Sequence, residues 1–102
     1  MRSPTVRSLK MLRARGWLCK VVEHWNSHAG IRQDLWGCDI LAVKPGEPAL
    51  LVQTTTQSNQ SARIKKLRAL SSTTFLLRAG WHIVVHGWKT RGCDETRLTW
   101  TP

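Results

Sequence analysis

Apolar and polar positions in the first quarter of the chain follow two different periods. Residues Pro4 to Arg15 carry apolar side chains at helical spacing and are followed by Gly16. We therefore predict a first helix, with Ser3 as its cap and Pro4 in its first turn. Residues Trp17 to Trp25 alternate with a period of two, which predicts a strand.

Two apolar runs in the middle of the chain are separated by a short turn signal. The runs are Asp39 to Val43 and Ala49 to Thr55, and Pro45-Gly46 lies between them. Proline followed by glycine is typical of a turn, and so short a connection predicts an antiparallel hairpin. Asn26 to Gly37, which precedes the hairpin, is predicted to be a polar loop.

The second half of the chain returns to helical spacing and then to alternation. The predicted elements are a basic helix at Asn59–Leu70, a short helix at Ser71–Ala79, a strand at Trp81–Trp88, a turn at Lys89–Glu95 and a strand at Thr96–Trp100. Ser71 or Ser72 is expected to cap the short helix, and Gly80 to end it. The order αβββααββ predicts one α/β domain over residues 1–102.

The charge balance narrows the classes of partner. Sixteen Lys and Arg oppose six Asp and Glu, which gives a net charge of +10 over 102 residues. Such a chain favours polyanions, with nucleic acid ahead of an anionic membrane surface, and a merely soluble basic protein is the alternative. No apolar run reaches the ~18 residues of a membrane span, and the N-terminus lacks an apolar signal core, so we predict a cytoplasmic protein.

Cysteine, histidine and tryptophan carry weaker signals. The three cysteines match no zinc spacing and form no even set for disulfides. The four histidines would form a zinc site only if His24 and His28 converged with His82 and His86. Most tryptophans at the edges of apolar runs are predicted to lie in the core or at its rim, with stacking on bases as the alternative. These are Trp17, Trp36, Trp81, Trp88 and Trp100.

Polar side chains collect at one end of the predicted hairpin. Asp39 heads the first strand, and Gln53 and Thr55 share one face of the second, with Thr54 between them pointing into the core. Glu23 lies near the end of the preceding strand. Two carboxylates, an amide oxygen and the backbone carbonyl of Thr54 would form a hard-oxygen set suited to Mg²⁺.

This arrangement resembles the PD-(D/E)XK nuclease superfamily in its small, Holliday-junction-resolvase-like form. The resemblance is carried by the Gly37-Cys38-Asp39-Ile40-Leu41 strand and by the next strand, which ends in Gln53-Thr54-Thr55 where the family has E-x-K. It implies a restriction-endonuclease-like fold with a central mixed sheet flanked by helices. Asp39 then matches the metal-binding aspartate, Gln53 the second acid, Thr55 the lysine, and Glu23 an additional upstream glutamate.

The resemblance implies a Mg²⁺- or Mn²⁺-dependent enzyme that hydrolyses phosphodiesters in DNA. A homodimer would present two sites to duplex or branched DNA. The departures favour an alternative, a degenerate nuclease fold that binds nucleic acid without cutting it. Gln53 is neutral and Thr55 cannot supply an ammonium group. A third interpretation is a basic module that binds an acidic protein.

A lysine from another element could replace the missing one. Asn59, Arg63 and Lys66 share one stripe of the basic helix, and Lys66 is the best candidate. Lys20 and Lys44 lie on the wrong side or at the wrong end of their strands. Further predicted contacts to nucleic acid come from Arg32 and Lys65; a solvated basic face is the alternative for the helix.

Each candidate also has an ordinary structural explanation. Asp39 could be a strand-edge acid or a cap, Glu23 could pair with a basic neighbour, and Gln53 could bond a loop. Thr55 suits a strand in any case, and Asp34 could buttress the loop before Trp36.

Overall fold

A computed structural model describes residues 2–101 as a sheet covered by helices on both faces. The three helices are α1 (Pro4–Ala14), α2 (Gln57–Arg68) and α3 (Ser71–Arg78). The seven strands are β1 (Leu18–Val21), β2 (His24–Asn26), β3 (Ile31–Gln33), β4 (Ile40–Val43), β5 (Leu50–Thr56), β6 (His82–Trp88) and β7 (Cys93–Arg97).

Five of the strands form one mixed sheet in the order β1-β4-β5-β6-β7. The predicted β4–β5 hairpin is confirmed, with Ile40 opposite Val52. Strands β5 and β6 run parallel because α2 and α3 carry the chain back across the sheet between them. The coarse α/β class is therefore confirmed.

The apolar residues of β4 and β5 divide between two cores. On the α1 face, Leu12 packs with Ile40 and Val52. On the other face, Leu51 packs with Leu67 of α2 and Leu76 of α3. Strand β5 is buried from Leu50 to Thr55, which explains why its apolar part reads as a continuous run instead of an alternation.

The first helix begins at Pro4 as predicted and ends at Ala14, one residue before the predicted end. The Oγ of Ser3 accepts a hydrogen bond from the backbone N–H of Val6 at 3.2 Å. Pro4 occupies the first turn, where its missing N–H has no helical partner to lose. Gly16 follows the helix with φ of 91°, a left-handed conformation that favours glycine.

The prediction of one strand from Trp17 to Trp25 and a loop to Gly37 is wrong. The main-sheet strand ends at Val21, and β2 pairs with β3 in a separate two-stranded hairpin. The alternation of side chains continues across the break and so conceals it. Asn26 makes the turn, since its Oδ1 accepts hydrogen bonds from the N–H groups of His28 and Ala29.

The predicted position of the last strand is also wrong. Strand β7 is Cys93–Arg97 instead of Thr96–Trp100, and it pairs with β6 so that Cys93 faces Trp88. The turn closes earlier than predicted because the N–H of Lys89 bonds the carbonyl of Gly92 at 3.0 Å. The polar residues Asp94 and Glu95, which suggested a longer turn, lie in an edge strand.

Smaller corrections concern the ends of the two later helices. Helix α2 begins at Gln57 and ends at Arg68, earlier at both ends than predicted. Leu70 is the N-cap of α3, so neither Ser71 nor Ser72 caps it. No helix within residues 2–101 is long and apolar enough to cross a membrane. Cys19, Cys38 and Cys93 are all free thiols.

A buried glutamine fixes α2 against the far edge of the sheet. The Nε2 of Gln60 donates to the carbonyl of Asp94 at 2.9 Å and to the Oγ1 of Thr96 at 3.1 Å. Gly87 permits this approach, because a Cβ at that position would collide with the Gln60 amide. Arg63 and Lys66 follow Gln60 on the same helix, so the glutamine also sets their positions.

Replacing Gln60 by alanine should lower the free energy of unfolding by about 1–3 kcal/mol, because it removes a buried side chain together with its hydrogen bonds to Asp94 and Thr96. Urea denaturation of parent and variant measures the change. Asn59→Ala, one residue away and exposed, is the control and should change stability by less than about 0.5 kcal/mol. Equal effects of the two substitutions would show that the hydrogen bonds of Gln60 contribute nothing to stability.

Candidate metal and nucleic-acid site

A cavity of about 570 Å³ lies at the end of β5. The predicted site residues that line it are Glu23, Arg32, Asp39, Gln53, Thr54, Thr55, Arg63 and Lys66. Of the predicted set, Asn59 and Lys65 do not line the cavity. The lining also includes Asp34, Thr56 and the start of α1 at Ser3, Pro4 and Thr5.

Asp39 lies at the floor of this cavity. The β4–β5 register brings it beside the end of β5, where its N–H bonds the carbonyl of Val52 at 2.9 Å. Its Oδ2 accepts three hydrogen bonds, from the Thr54 N–H at 2.9 Å, the Thr54 Oγ1 at 3.1 Å and the Gln53 Nε2 at 3.1 Å. The residue is only 5% exposed, so a carboxylate there depends on these donors.

The pKa of the Asp39 carboxyl lies above its usual value, and its neighbours in the cavity contribute to the shift. Burial raises its pKa, the backbone hydrogen bond from Thr54 lowers it, and the neighbouring Glu23 carboxyl raises it again, to about 6. A buried carboxyl whose pKa is raised by a neighbouring carboxyl favours either a proton or a cation between the two.

Glu23 reaches the cavity from the segment that joins β1 to β2. Its Oε1 forms an ion pair with the guanidinium of Arg32 on β3, 3.0 Å from Nη1. Both residues line the cavity, so the acid pairs with a basic neighbour and also lies at the predicted site. The ion pair connects β3 to the segment between β1 and β2.

Gln53 uses its amide nitrogen where a metal-binding residue would use an oxygen. Its Nε2 donates to Asp39 Oδ2 and also to the carbonyl oxygen of Thr54 at 3.2 Å. The nitrogen therefore contacts two oxygens that the sequence assigned to a metal ion.

Thr54 is buried as predicted, yet its hydroxyl belongs to the site. That hydroxyl donates to Asp39 Oδ2, so the hydroxyl of Thr5, 2.9 Å away, is left as the donor to Thr54. Thr5 thus connects the first turn of α1 to Asp39. Nothing in the sequence distinguished Thr5 from any other helix residue, because its contact spans 49 positions.

Asp34 supports the turn that precedes Asp39. Its Oδ1 accepts from the N–H of Gly37 at 3.1 Å, and Leu35 and Cys38 exchange backbone hydrogen bonds across the turn. Trp36 has a φ of 50°, unusual for a residue with a side chain. The buttressing explanation of Asp34 is therefore confirmed, although the residue also lines the cavity.

The positive side of the cavity comes from α2. Arg63 and Lys66 are exposed and form no salt bridge within residues 2–101. Lys44 is engaged elsewhere, since its Nζ donates to the carbonyl of Arg15 at 2.8 Å. Lys20 does not line the cavity. Lys66 is thus the lysine that the fold brings to this cavity.

Two helices also begin at the cavity wall. Ser3, Pro4 and Thr5 begin α1, and Thr56, the N-cap of α2, makes no side-chain capping bond. Neither helix has an acid in its first turn. The N–H groups and the positive end of each helix dipole add to the attraction for an anion.

The oxygen atoms around Asp39 would suit a hard divalent cation only after one rearrangement. Within residues 2–101, no group of three or more His, Cys, Asp or Glu side chains is placed to hold a metal ion. Asp39 and Glu23 supply two carboxylates, and Thr54 supplies a carbonyl. Gln53 completes an all-oxygen set only if its amide turns over to present Oε1.

Comparison of the chain with protein-family models, with curated proteins and with solved structures gave no match.

A second polar cluster, which the sequence did not predict, lies between α1 and the β6–β7 edge. Ser8 Oγ is 2.8 Å from His86 Nδ1 and accepts from Trp88 Nε1, while His86 Nε2 lies 3.4 Å from Glu95. Arg15 pairs with Glu95 through two hydrogen bonds. Because Ser8 and His86 are almost fully buried, this cluster fixes α1 to the sheet and is closed to a substrate.

Asp39→Asn should stabilise the metal-free protein at pH 7.5 by about 1–3 kcal/mol. The unfolded chain releases the Asp39 proton near its usual pKa of 3.8, and the folded chain only near 6. Folding of the parent therefore loses stability as the pH rises between these values, whereas asparagine keeps an acceptor oxygen and no charge.

Urea unfolding in EDTA at pH 7.5 and at pH 4 measures this effect, and the gain should disappear at the lower pH. An asparagine variant that is less stable than the parent at pH 7.5 would mean that charge-assisted hydrogen bonds outweigh burial at this site.

Proposed function

We propose that the protein is a Mg²⁺- or Mn²⁺-dependent endonuclease that hydrolyses phosphodiester bonds in DNA. The observation that carries this proposal is the pair of carboxyls, Asp39 and Glu23, in a cavity that Arg63 and Lys66 also line. We further propose that the mixed sheet with α2 and α3 between its parallel strands is a restriction-endonuclease-like fold of the PD-(D/E)XK type.

The basic face of α2 would bind the DNA backbone. Arg63 and Lys66 are exposed and unpaired within residues 2–101, so they need not break an ion pair to contact phosphate. The starts of α1 and α2 add backbone N–H donors on the same side. Such contacts fix the position of the strand and carry little base specificity.

The oxygen ligands would come from four residues, Asp39, Glu23, the Thr54 carbonyl and Gln53 through its Oε1. A divalent cation bound by them would polarise the phosphodiester and activate water for attack. Thr54 and Thr5 would keep Asp39 oriented throughout, because their hydroxyl chain ends on Asp39 Oδ2. Arg32 would hold Glu23 at the cavity until the cation competes for it.

Lys66 would supply the ammonium group of the E-x-K lysine, whose position Thr55 occupies in this chain. An ammonium group near the scissile phosphate stabilises the negative charge that develops in the transition state. The homodimer that would bring two such cavities to a duplex or a branch rests on the family resemblance alone.

One observation favours a second function, binding of nucleic acid without cleavage. The Gln53 amide nitrogen already contacts Asp39, and the Arg32 guanidinium already neutralises Glu23. The protein's own side chains thus do part of what a cation would do. If these contacts persist when DNA binds, the cavity is a phosphate-binding surface only.

Asp39→Asn should abolish metal-dependent cleavage, by at least about 100-fold, while DNA binding in EDTA stays within about threefold. The assay uses linear duplex, single strand, flap and four-way junction, each with Mg²⁺ and with Mn²⁺. Glu47→Ala, which removes an acid from the β4–β5 turn outside the cavity, is the control and should cut like the parent.

Salt-sensitive binding without cleavage by the parent would overturn the enzyme proposal and leave the binding function. Equal cleavage by the parent and Asp39→Asn would show that the activity does not use this site.

Gln53→Glu should strengthen cation binding, because it removes the amide donor and adds a third carboxylate. Without metal the variant should melt below the parent, and millimolar Mg²⁺ should raise its melting temperature more than that of the parent. Gln57→Glu, the same change at an exposed position, is the control. Identical Mg²⁺ responses of the parent and Gln53→Glu would place the metal elsewhere.

A further inference from the structure

The β2–β3 hairpin is a small arm beside the cavity and outside the main sheet. Two strands of three residues contribute little stability on their own. The hairpin is held by the Asn26 turn and by the ion pair between Arg32 and Glu23. One of its residues, Arg32, lines the cavity.

Ile31 and Trp25 are the two large apolar residues that this arm leaves exposed, and the aromatic one is Trp25. It is 63% exposed, although tryptophan is large and usually buried over much of its surface. Its register partner is Arg32, and paired residues of an antiparallel hairpin lie on the same face. The indole therefore lies on the face of the arm that carries a cavity residue.

The other tryptophans all have partners within the protein. Trp36 and Trp81 pack edge to face at 6.0 Å, and Trp88 lies under the Arg7 guanidinium at 4.3 Å. Trp17 and Trp100 have cationic partners in Lys44 and Arg78. Within residues 2–101, Trp25 has neither an aromatic partner nor a cation over its ring.

We propose that Trp25 stacks on an unpaired base of a DNA strand whose backbone lies in the cavity. Aromatic side chains beside a basic groove bind single strands in this way, because every base has a stacking face once it leaves the duplex. A base inside a duplex presents only its edge. The preferred substrate would then be DNA with unpaired bases next to a duplex, and this inference rests on the proposed function for the presence of DNA in the cavity.

The test is fluorescence anisotropy in EDTA, so that binding is measured without cutting. The probes are a blunt duplex and the same duplex with a single-stranded overhang. The parent should prefer the overhang, and Trp25→Ala should lose about tenfold or more in affinity for it while binding the blunt duplex unchanged. Trp25→Phe should keep most of the preference.

Phe75→Ala is the matched control, because Phe75 is 76% exposed and does not line the cavity. It should bind both probes like the parent. A 2-aminopurine at the first unpaired position supplies a second readout. Its fluorescence should fall when the parent binds and remain high with Trp25→Ala.

The results separate this inference from the nuclease proposal. A parent that prefers the overhang but cuts nothing supports the stacking arm and refutes the enzyme. Stacking by Trp25 is refuted if the parent cuts DNA but has no preference for the overhang. It is also refuted if Trp25→Ala binds both probes like the parent. Neither result contradicts the nuclease proposal.

Discussion

The candidate site depends on one buried carboxylate oxygen. Asp39 Oδ2 accepts the N–H and hydroxyl of Thr54 and the amide of Gln53, and Thr54 is connected to Thr5 at the start of α1. These contacts join the β4–β5 hairpin to the first helix at one point. Burial and the nearby Glu23 raise the Asp39 pKa to about 6, so the same point that organises the site also carries unfavourable charge.

That combination is expected where a site is built for a ligand. A buried acid whose pKa is raised by burial and by a second acid destabilises the protein when it is ionised, and a bound cation would reverse the effect. Two contacts reduce the repulsion between the acids. The neutral Gln53 amide donates to Asp39, and the guanidinium of Arg32 pairs with Glu23. In a binding module, Gln53 and Arg32 keep these contacts in place of a cation. In a nuclease, a bound cation displaces them.

The sequence predicted the parts of the molecule that depend on local pattern. The hairpin follows from the Pro45-Gly46 turn and the apolar run of β5, and the first helix from the Ser3 cap. The spacing in the sequence also predicted that Asp39, Gln53 and Thr54 lie together, and all three line one cavity. It failed where a pattern continues across a change of direction, as at Val22–Glu23. It also could not reveal Thr5, Gln60 or the His86 cluster, because their partners lie far away in the chain and become neighbours only in the folded protein.

A cation site at Asp39 and Glu23 is tested most directly by titrating the parent with Mn²⁺ and following electron paramagnetic resonance, which distinguishes free from bound ion. We expect one bound Mn²⁺ per chain that Mg²⁺ displaces and that Asp39→Asn does not hold. Mn²⁺ that remains entirely free at millimolar concentration, or binds equally well to Asp39→Asn, would contradict a cation site at Asp39 and Glu23.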